Sequence, residues 1–553
     1  MSGAGFEAAT EGADSNAGPI GACARNPPSH RPWCPVGGSA MRRPCDAPCE
    51  VEARPFVLAA TILASAMAFI DGTVVHIALP AIQRTLAADF SALQWVVNIY
   101  TLFLGALILV GGALGDRIGR RRIFVVGIGL FAVASALCGL APTAGTLIAA
   151  RGLQGLGAAL LVPQSLAIIA ASFPEEVRGR AIGTWSGFAA IATAAGPILG
   201  GTLIDLASWR AAFWINLPVA AVAIWLSLRF VPESRSGDDR PIDILGAGLV
   251  TAGIGALTVA LTRAAQVGPT DVSVIAALIA AVALLVVFTA LEARLEAPMM
   301  PLGLFRSRNF SAANAITLFL YFALSGVLFL LPFNLIQVHG YSALAAGTAL
   351  LPFSVVMGLF SRRAGALVDR IGPRPPLIAG PAIVAFACVV FAMTRDDPSL
   401  VTGVLPPMIL LAIGMTISVA PLTTTVMNAV AEPDSGLASG VNNAASRLAG
   451  LFAVALVGVL AQLLFSDRLR DGLTELDVGR HISGEILSRA NELAGLPLPT
   501  GLDASLQQQL SSLIGEAFQT AYAGGMWVCA AVAGLAALSA LAMGRVPAVR
   551  PVS

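Results

Sequence analysis

Apolar and polar residues separate into long blocks along this chain instead of alternating. From Phe56 onward, fourteen mostly apolar stretches run near 56–79, 93–114, 122–141, 145–172, 181–206, 211–230, 242–262, 272–291, 310–335, 343–360, 376–394, 404–428, 436–465 and 520–543. A helix rising about 1.5 Å per residue needs roughly 20 residues to cross about 30 Å of hydrocarbon. Each stretch therefore predicts a spanning helix, and together they predict an all-α integral membrane protein. Residues 1–53 carry no such run, are rich in Gly, Ala, Pro and Ser, and predict a disordered tail. Cys23, Cys34, Cys45 and Cys49 lie in that tail around His30, but no pair of Cys-x2-4-Cys knuckles is spaced to hold zinc, so no metal site is expected.

Arginines set the expected orientation. With the N-terminus inside, the five short inner connections hold sixteen arginines, among them Arg117, Arg120, Arg121 and Arg122, against four in the short outer ones: Arg84, Arg210, Arg263 and Arg395. Cytoplasmic connections carry the excess of positive charge. Both termini are thus expected in the cytoplasm and the chain in the inner (plasma) membrane. One outer connection, 466–519, is unusually long. Within it Leu502, Leu506, Leu510, Leu513, Ile514 and Phe518 recur at helical spacing, which predicts an amphipathic helix lying on the outer leaflet or capping the bundle. Packing on its own protein is the simpler use of that face; binding a partner is the other.

Composition narrows the function. The 553 residues are 56% hydrophobic and 12% charged, where soluble domains carry about 25% charge, and mean hydropathy is +0.81. A net charge of +1 offers no field for nucleic acid. Every one of the 33 basic residues is arginine, which excludes a Walker A loop, a protein-kinase strand lysine and a pyridoxal-phosphate Schiff base. The four histidines are scattered, and neither His-Glu-x-x-His nor Gly-x-Ser-x-Gly occurs, so a membrane-embedded enzyme is disfavoured.

An internal repeat gives the architecture. Gly112-x-Leu114-x-Asp116-Arg117-x-Gly119-Arg120-Arg121 returns as Gly365-x-Leu367-x-Asp369-Arg370-x-Gly372-Pro373-Arg374, each time in a short inner turn and with eight spans between the copies. An even number keeps both copies on one side, as a parallel duplication requires. The predicted organisation is a cytoplasmic tail (1–53), a six-helix bundle (54–231), two extra spans with their linkers (232–300), a second six-helix bundle (301–545) that includes the 466–519 loop, and a short cytoplasmic tail (546–553).

These residues resemble a known family. The doubled motif resembles motif A of the major facilitator superfamily. The run Phe69-Ile-Asp71-Gly-Thr73 through Pro80 resembles the first-helix signature of its 14-span drug:proton antiporters, the EmrB/QacA type, although His76 stands where that pattern usually has Asn. Arg151-Gly-Leu-Gln154-Gly155 resembles motif B, and Gly187 through Gly196-Pro197-x-x-Gly200-Gly201 resembles the antiporter motif C. Trp209-Arg210 through Asn216-Leu217-Pro218 is also typical of the subgroup. The resemblance covers residues 55–545 and implies the major facilitator fold with two extra central helices. It also implies alternating access, no cofactor beyond a proton gradient, and a latch formed by Gly112, Asp116, Arg117, Gly119, Arg120, Asp369 and Arg370 on the cytoplasmic side of the outward-facing state. Motif C favours export.

Three charges lie within apolar segments. Asp71 is the only acid deep in a span; a carboxylate there costs on the order of 3 kcal/mol to insert, so it is expected to serve as a proton carrier. Counted at about 1.5 Å per residue, Asp71 and Arg151 both lie roughly 21–22 Å from the inner edge. In the family fold the first and fourth helices line the central cavity, so the two are expected to meet directly, or through water or Gln154, as the proton-coupling pair; a permanent structural bridge is the alternative. Arg447 is the third charge, facing either substrate or helix carbonyls near Asn442 and Asn443. Gln154, Arg447 and Asn442 are the cavity candidates, and His76, about 140° around the helix from Asp71, is at most a modulator. Apolar walls with one acid suit a cationic or neutral lipophile. The expected function is proton-coupled multidrug or small-molecule efflux by a monomer in the bilayer. A dedicated exporter of one metabolite or antibiotic, an importer on the same fold, and a periplasmic adaptor stay open.

Overall fold

Fourteen helices in a computed structural model of the chain are long and apolar enough to cross a membrane. They are α1 Arg54–Leu86, α2 Phe90–Ile118, α3 Arg120–Leu140, α4 Ala144–Ser172, α5 Val177–Leu206, α6 Ala211–Phe230, α7 Ile244–Ala264, α8 Val272–Glu292, α9 Arg308–Val338, α10 Ala343–Ser361, α11 Arg374–Met393, α12 Leu400–Asn428, α13 Ala438–Glu475 and α14 Ala504–Leu541. The structure describes residues 52–235, 243–268, 270–295, 298, 300–430 and 435–544. The tail with its four cysteines and His30 lies outside them, as do 546–553.

Local chemistry places the helix starts. Asp89 accepts the Ala92 N–H at 2.7 Å ahead of α2, Thr143 and Thr146 form a capping box ahead of α4, and Asp243 and Asp271 cap α7 and α8. Helix α1 pairs with α5, and α2 and α3 with α4, to build the first bundle. Helices α9, α11, α12, α13 and α14 pack together in the second, joined by α10 against α12. The two extra helices pack chiefly on one another, and among the described residues α7 makes the main contacts with the bundles, at α2 and α13. Ile279, Val282, Val286 and Val287 of α8 face outward, as an apolar surface turned to lipid would.

The duplication reaches the packing. A Cβ on Gly157 of α4 would stand 2.7 Å from the Phe131 backbone nitrogen and 3.1 Å from the Gly127 carbonyl of α3. One on Gly414 of α12 would stand 2.7 Å from the Gly380 carbonyl of α11. Gly127 and Gly380 are separated by the same 253 positions as the two copies of motif A. Each bundle therefore crosses its third and fourth helices backbone to backbone, a contact only glycine permits.

The long connection keeps the capping alternative of its prediction and loses the leaflet one. Helix α13 runs on to Glu475 and α14 begins at Ala504, so the leucine-rich segment is the first turns of a spanning helix, not a separate helix on the leaflet. Leu510, Leu513, Ile514 and Phe518 are buried, and Leu513 presses against Gly472 of α13. A short helix, Arg480–Ser488, and a turn at Ala490–Gly495 complete a cap packed on the protein itself.

Candidate functional site

Asp71 and Arg151 come together in the middle of the first bundle. Arg151 Nη1 donates to Asp71 Oδ2, and Gln154 Nε2 donates to Asp71 Oδ1 at 2.8 Å. Both carboxylate oxygens are thus engaged, and Asp71 is 1% exposed. The guanidinium is held from several sides: Nε donates to the Val96 carbonyl at 3.1 Å, Nη1 also reaches Gln154 Oε1 at 2.7 Å, and the Tyr100 ring lies 4.2 Å beneath it. Ser135 accepts from Gln154 Nε2 at 2.9 Å and from Asn216 Nδ2 at 3.3 Å, while Tyr100 donates to the Ala68 carbonyl. Helices α1, α2, α3, α4 and α6 all contribute to this network.

The ion pair depends on an ionised Asp71. A proton on Asp71 removes the ion pair and leaves Arg151 with only neutral acceptors, so the bonds binding α1 to α4 change with the protonation state. Breaking a buried pair from one side costs about 3–5 kcal/mol. Arg151→Leu is therefore expected to melt well below the wild type in detergent, and adding Asp71→Asn is expected to recover part of the loss. Equal melting of Arg151→Leu and wild type would contradict the pairing.

The other predicted residues are distributed differently. Gln154, expected on a cavity wall, is wholly buried in the charge network. Asn442 Oδ1 accepts from Thr317 Oγ1 at 2.6 Å, tying α13 to α9. Arg447 is half-buried and has no hydrogen bond or ion pair among the described residues; the carbonyls near Asn442 and Asn443 do not hold it. His76 is half-buried, and its Nδ1 has no partner among the described residues.

Motif A is organised within the bundles. Asp116 Oδ1 accepts from Arg120 Nε at 2.8 Å, and Arg117 is exposed. Gly119 adopts φ +131° and Gly372 φ +76°, so the same position in each copy makes a turn that disfavours other residues. Arg121 donates to the Val231 carbonyl at 3.2 Å just beyond α6, and its counterpart Arg374 donates to the Leu541 carbonyl at 2.9 Å at the end of α14. In both halves the motif's last arginine thus satisfies an orphan carbonyl at the end of that bundle's final helix. Gly112 lies beside Pro163 of α4. The side chains of Asp369 and Arg370 lie outside the described residues.

Among the described residues, polar contacts between the two bundles gather toward the face away from motif A. Asp205 at the end of α5 accepts the Ala343 and Leu344 N–H groups at 3.1 and 2.8 Å, capping α10. The motif C residues lie in this joint. A Cβ on Gly201 would meet the Ala343 carbonyl at 2.5 Å, and one on Gly347 would meet the Pro197 carbonyl at 2.2 Å. Gly196 and Gly200 admit Thr73 and Val74 of α1. Gln83 of α1 accepts from Gln337 of α9 at 2.9 Å and donates to the Glu492 carbonyl of the cap at 2.7 Å, while Gln94 of α2 donates to Val454 of α13 at 2.7 Å.

The family description "Major Facilitator Superfamily" matches residues 61–454. The chain belongs to that superfamily. It is 37% identical over 434 residues to the multidrug resistance protein Stp of Mycobacterium tuberculosis (strain CDC 1551 / Oshkosh), covering 78% of this chain and 80% of that protein. It is 33% identical over 499 residues to the tetracenomycin C resistance and export protein of Streptomyces glaucescens, covering 89% and 91%. Among solved structures, a bacterial homologue of the human lysosomal transporter Spinster aligns with TM-score 0.63 at 19% identity over 89% of this chain and 98% of its own, a likeness of fold.

For this major facilitator transporter, sequence reasoning missed Ser135, Asn216 and Tyr100 as members of the buried network. Asn216 sits in the Trp209–Pro218 stretch noted for its resemblance, without a role. Phe213 of the same stretch lies 5.9 Å from the Arg151 guanidinium, and Trp214 packs on Gly139. That run thus sets Phe213 and Asn216 beside the buried network.

Proposed function

We propose that this chain is a proton-coupled efflux antiporter of the cytoplasmic membrane that moves amphipathic small molecules outward by alternating access. The single observation that carries this reading is the Asp71–Arg151–Gln154 network, a titratable carboxylate bound on both oxygens at the centre of a major facilitator bundle. The names of its relatives, a multidrug resistance protein and an antibiotic export protein, support the direction. Arginine-rich turns at one face support an arrangement with both termini cytoplasmic. In that orientation the polar contacts between the bundles among the described residues gather on the external side. Asp71 takes up a proton from outside, and the proton is released inside as substrate is loaded. A proton moving down about 150 mV supplies about 3.5 kcal/mol, enough for a gradient of roughly a few hundred-fold. The gradient is the only energy source and no cofactor is used. The motif A turns serve as the cytoplasmic latch of the opposite state. The chain works as a monomer, and a cap packed on its own bundle supports operation without a periplasmic adaptor.

A second reading, a dedicated exporter of one antibiotic or metabolite, is favoured by the tetracenomycin C relative. Efflux of a panel of fluorescent compounds from cells making this chain, with and without a protonophore, separates the two. Protonophore-sensitive efflux of several compounds is expected. Efflux of just one would favour the dedicated exporter, and protonophore-insensitive efflux would exclude proton coupling.

A further inference from the structure

The charge network changes the chemistry the cleft can offer. Asp71 is closed off by Arg151 and Gln154, so its carboxylate is not available to attract a cationic molecule. Arg447 stands in the opposite condition. It lies about 13 Å along α13 from Ala438 at ~1.5 Å per residue, near mid-membrane, with no hydrogen bond or ion pair among the described residues. Its stem packs on Gly105 of α2, where a Cβ would come within 3.0 Å of the Arg447 Cβ. No acidic residue lies in the middle of α2, α7, α9 or α13. One turn away on α13, Asn443 is exposed. Arg447 belongs to the second bundle and Gly105 to the first, so the guanidinium stem lies where the two bundles face one another.

A guanidinium at this depth costs insertion energy that no partner among the described residues offsets. Guanidinium groups bind planar oxyanions through paired N–H donors. We propose that Arg447 is the substrate-selecting charge of the cleft, and that the transported class is amphipathic organic anions, apolar ring systems bearing a carboxylate or ionised phenol, instead of lipophilic cations. This rests on the efflux reading above for its transport step, but the binding preference stands on Arg447 alone.

The test uses the purified full chain in nanodiscs and three probes with one ring system: anthracene-9-carboxylate, its methyl ester, and the anthracenylmethyl trimethylammonium ion. Wild type is expected to bind the carboxylate at least tenfold more tightly than the other two. Arg447→Gln should erase that preference and Arg447→Lys should keep part of it. Gly105→Leu, which crowds the Arg447 stem from α2, should weaken carboxylate binding and serves as the decisive variant if Arg447→Gln does not fold. Tighter binding of the ammonium ion, no binding of the carboxylate by folded wild type, or an unchanged preference in the folded variants would overturn the proposal. Selective binding without proton-driven movement of the carboxylate in vesicles would leave the Arg447 assignment standing and remove the efflux reading instead.

Discussion

Asp71→Asn is expected to reduce proton-driven efflux to the level of cells lacking the protein, while the variant still inserts and purifies as a single species. The asparagine amide can keep a hydrogen bond to Arg151 or Gln154 but cannot gain or lose a proton in the working range. The network then holds one protonation state throughout, and the step that links proton entry to rearrangement disappears. Efflux assays beside a measurement of membrane abundance check this. Substantial proton-dependent efflux by Asp71→Asn would move the coupling site elsewhere.

Gly201→Val is the second large effect expected. The new Cβ would fall 2.5 Å from the Ala343 carbonyl and 2.6 Å from the Leu344 Cα. Both are backbone atoms at the start of α10, so neither can swing aside. This joint lies between bundles, so each bundle can retain its own packing while the joint cannot close. Efflux should fall at least tenfold, with a melting temperature close to wild type. A variant that transports at half the wild-type rate would show that closing this face does not require α5 and α10 to meet so closely.

Legibility in the sequence followed physical cost. Spanning helices could be read because hydrocarbon demands long apolar runs, and all fourteen are present. Asp71 and Arg151 stood out because a charge in such a run is expensive, and equal depth, together with the family resemblance that sets helices one and four at the central cavity, pointed to their meeting. Ser135, Asn216 and Tyr100 gave no comparable signal, since neutral polar groups can satisfy themselves on a helix carbonyl and are inexpensive in a span. Gly127 and Gly380 escaped notice because glycine is frequent in membrane helices; what marks them is a close approach of two backbones, visible only in three dimensions. The Leu502–Phe518 pattern predicted a one-sided apolar face but not what would cover it, and α13 turned out to do so. For Arg447, sequence offered both substrate and helix carbonyls, and the absence of any bonded partner in the described structure favours the former.

The most direct test of the account is proton movement in sealed proteoliposomes carrying an internal pH indicator, with an exported compound added and no proton gradient imposed at the start. The account predicts that wild type moves protons opposite to substrate, that Asp71→Asn moves none, and that the wild-type signal disappears without substrate. Substrate movement by wild type with no accompanying proton flux, or equal flux in Asp71→Asn, would contradict it.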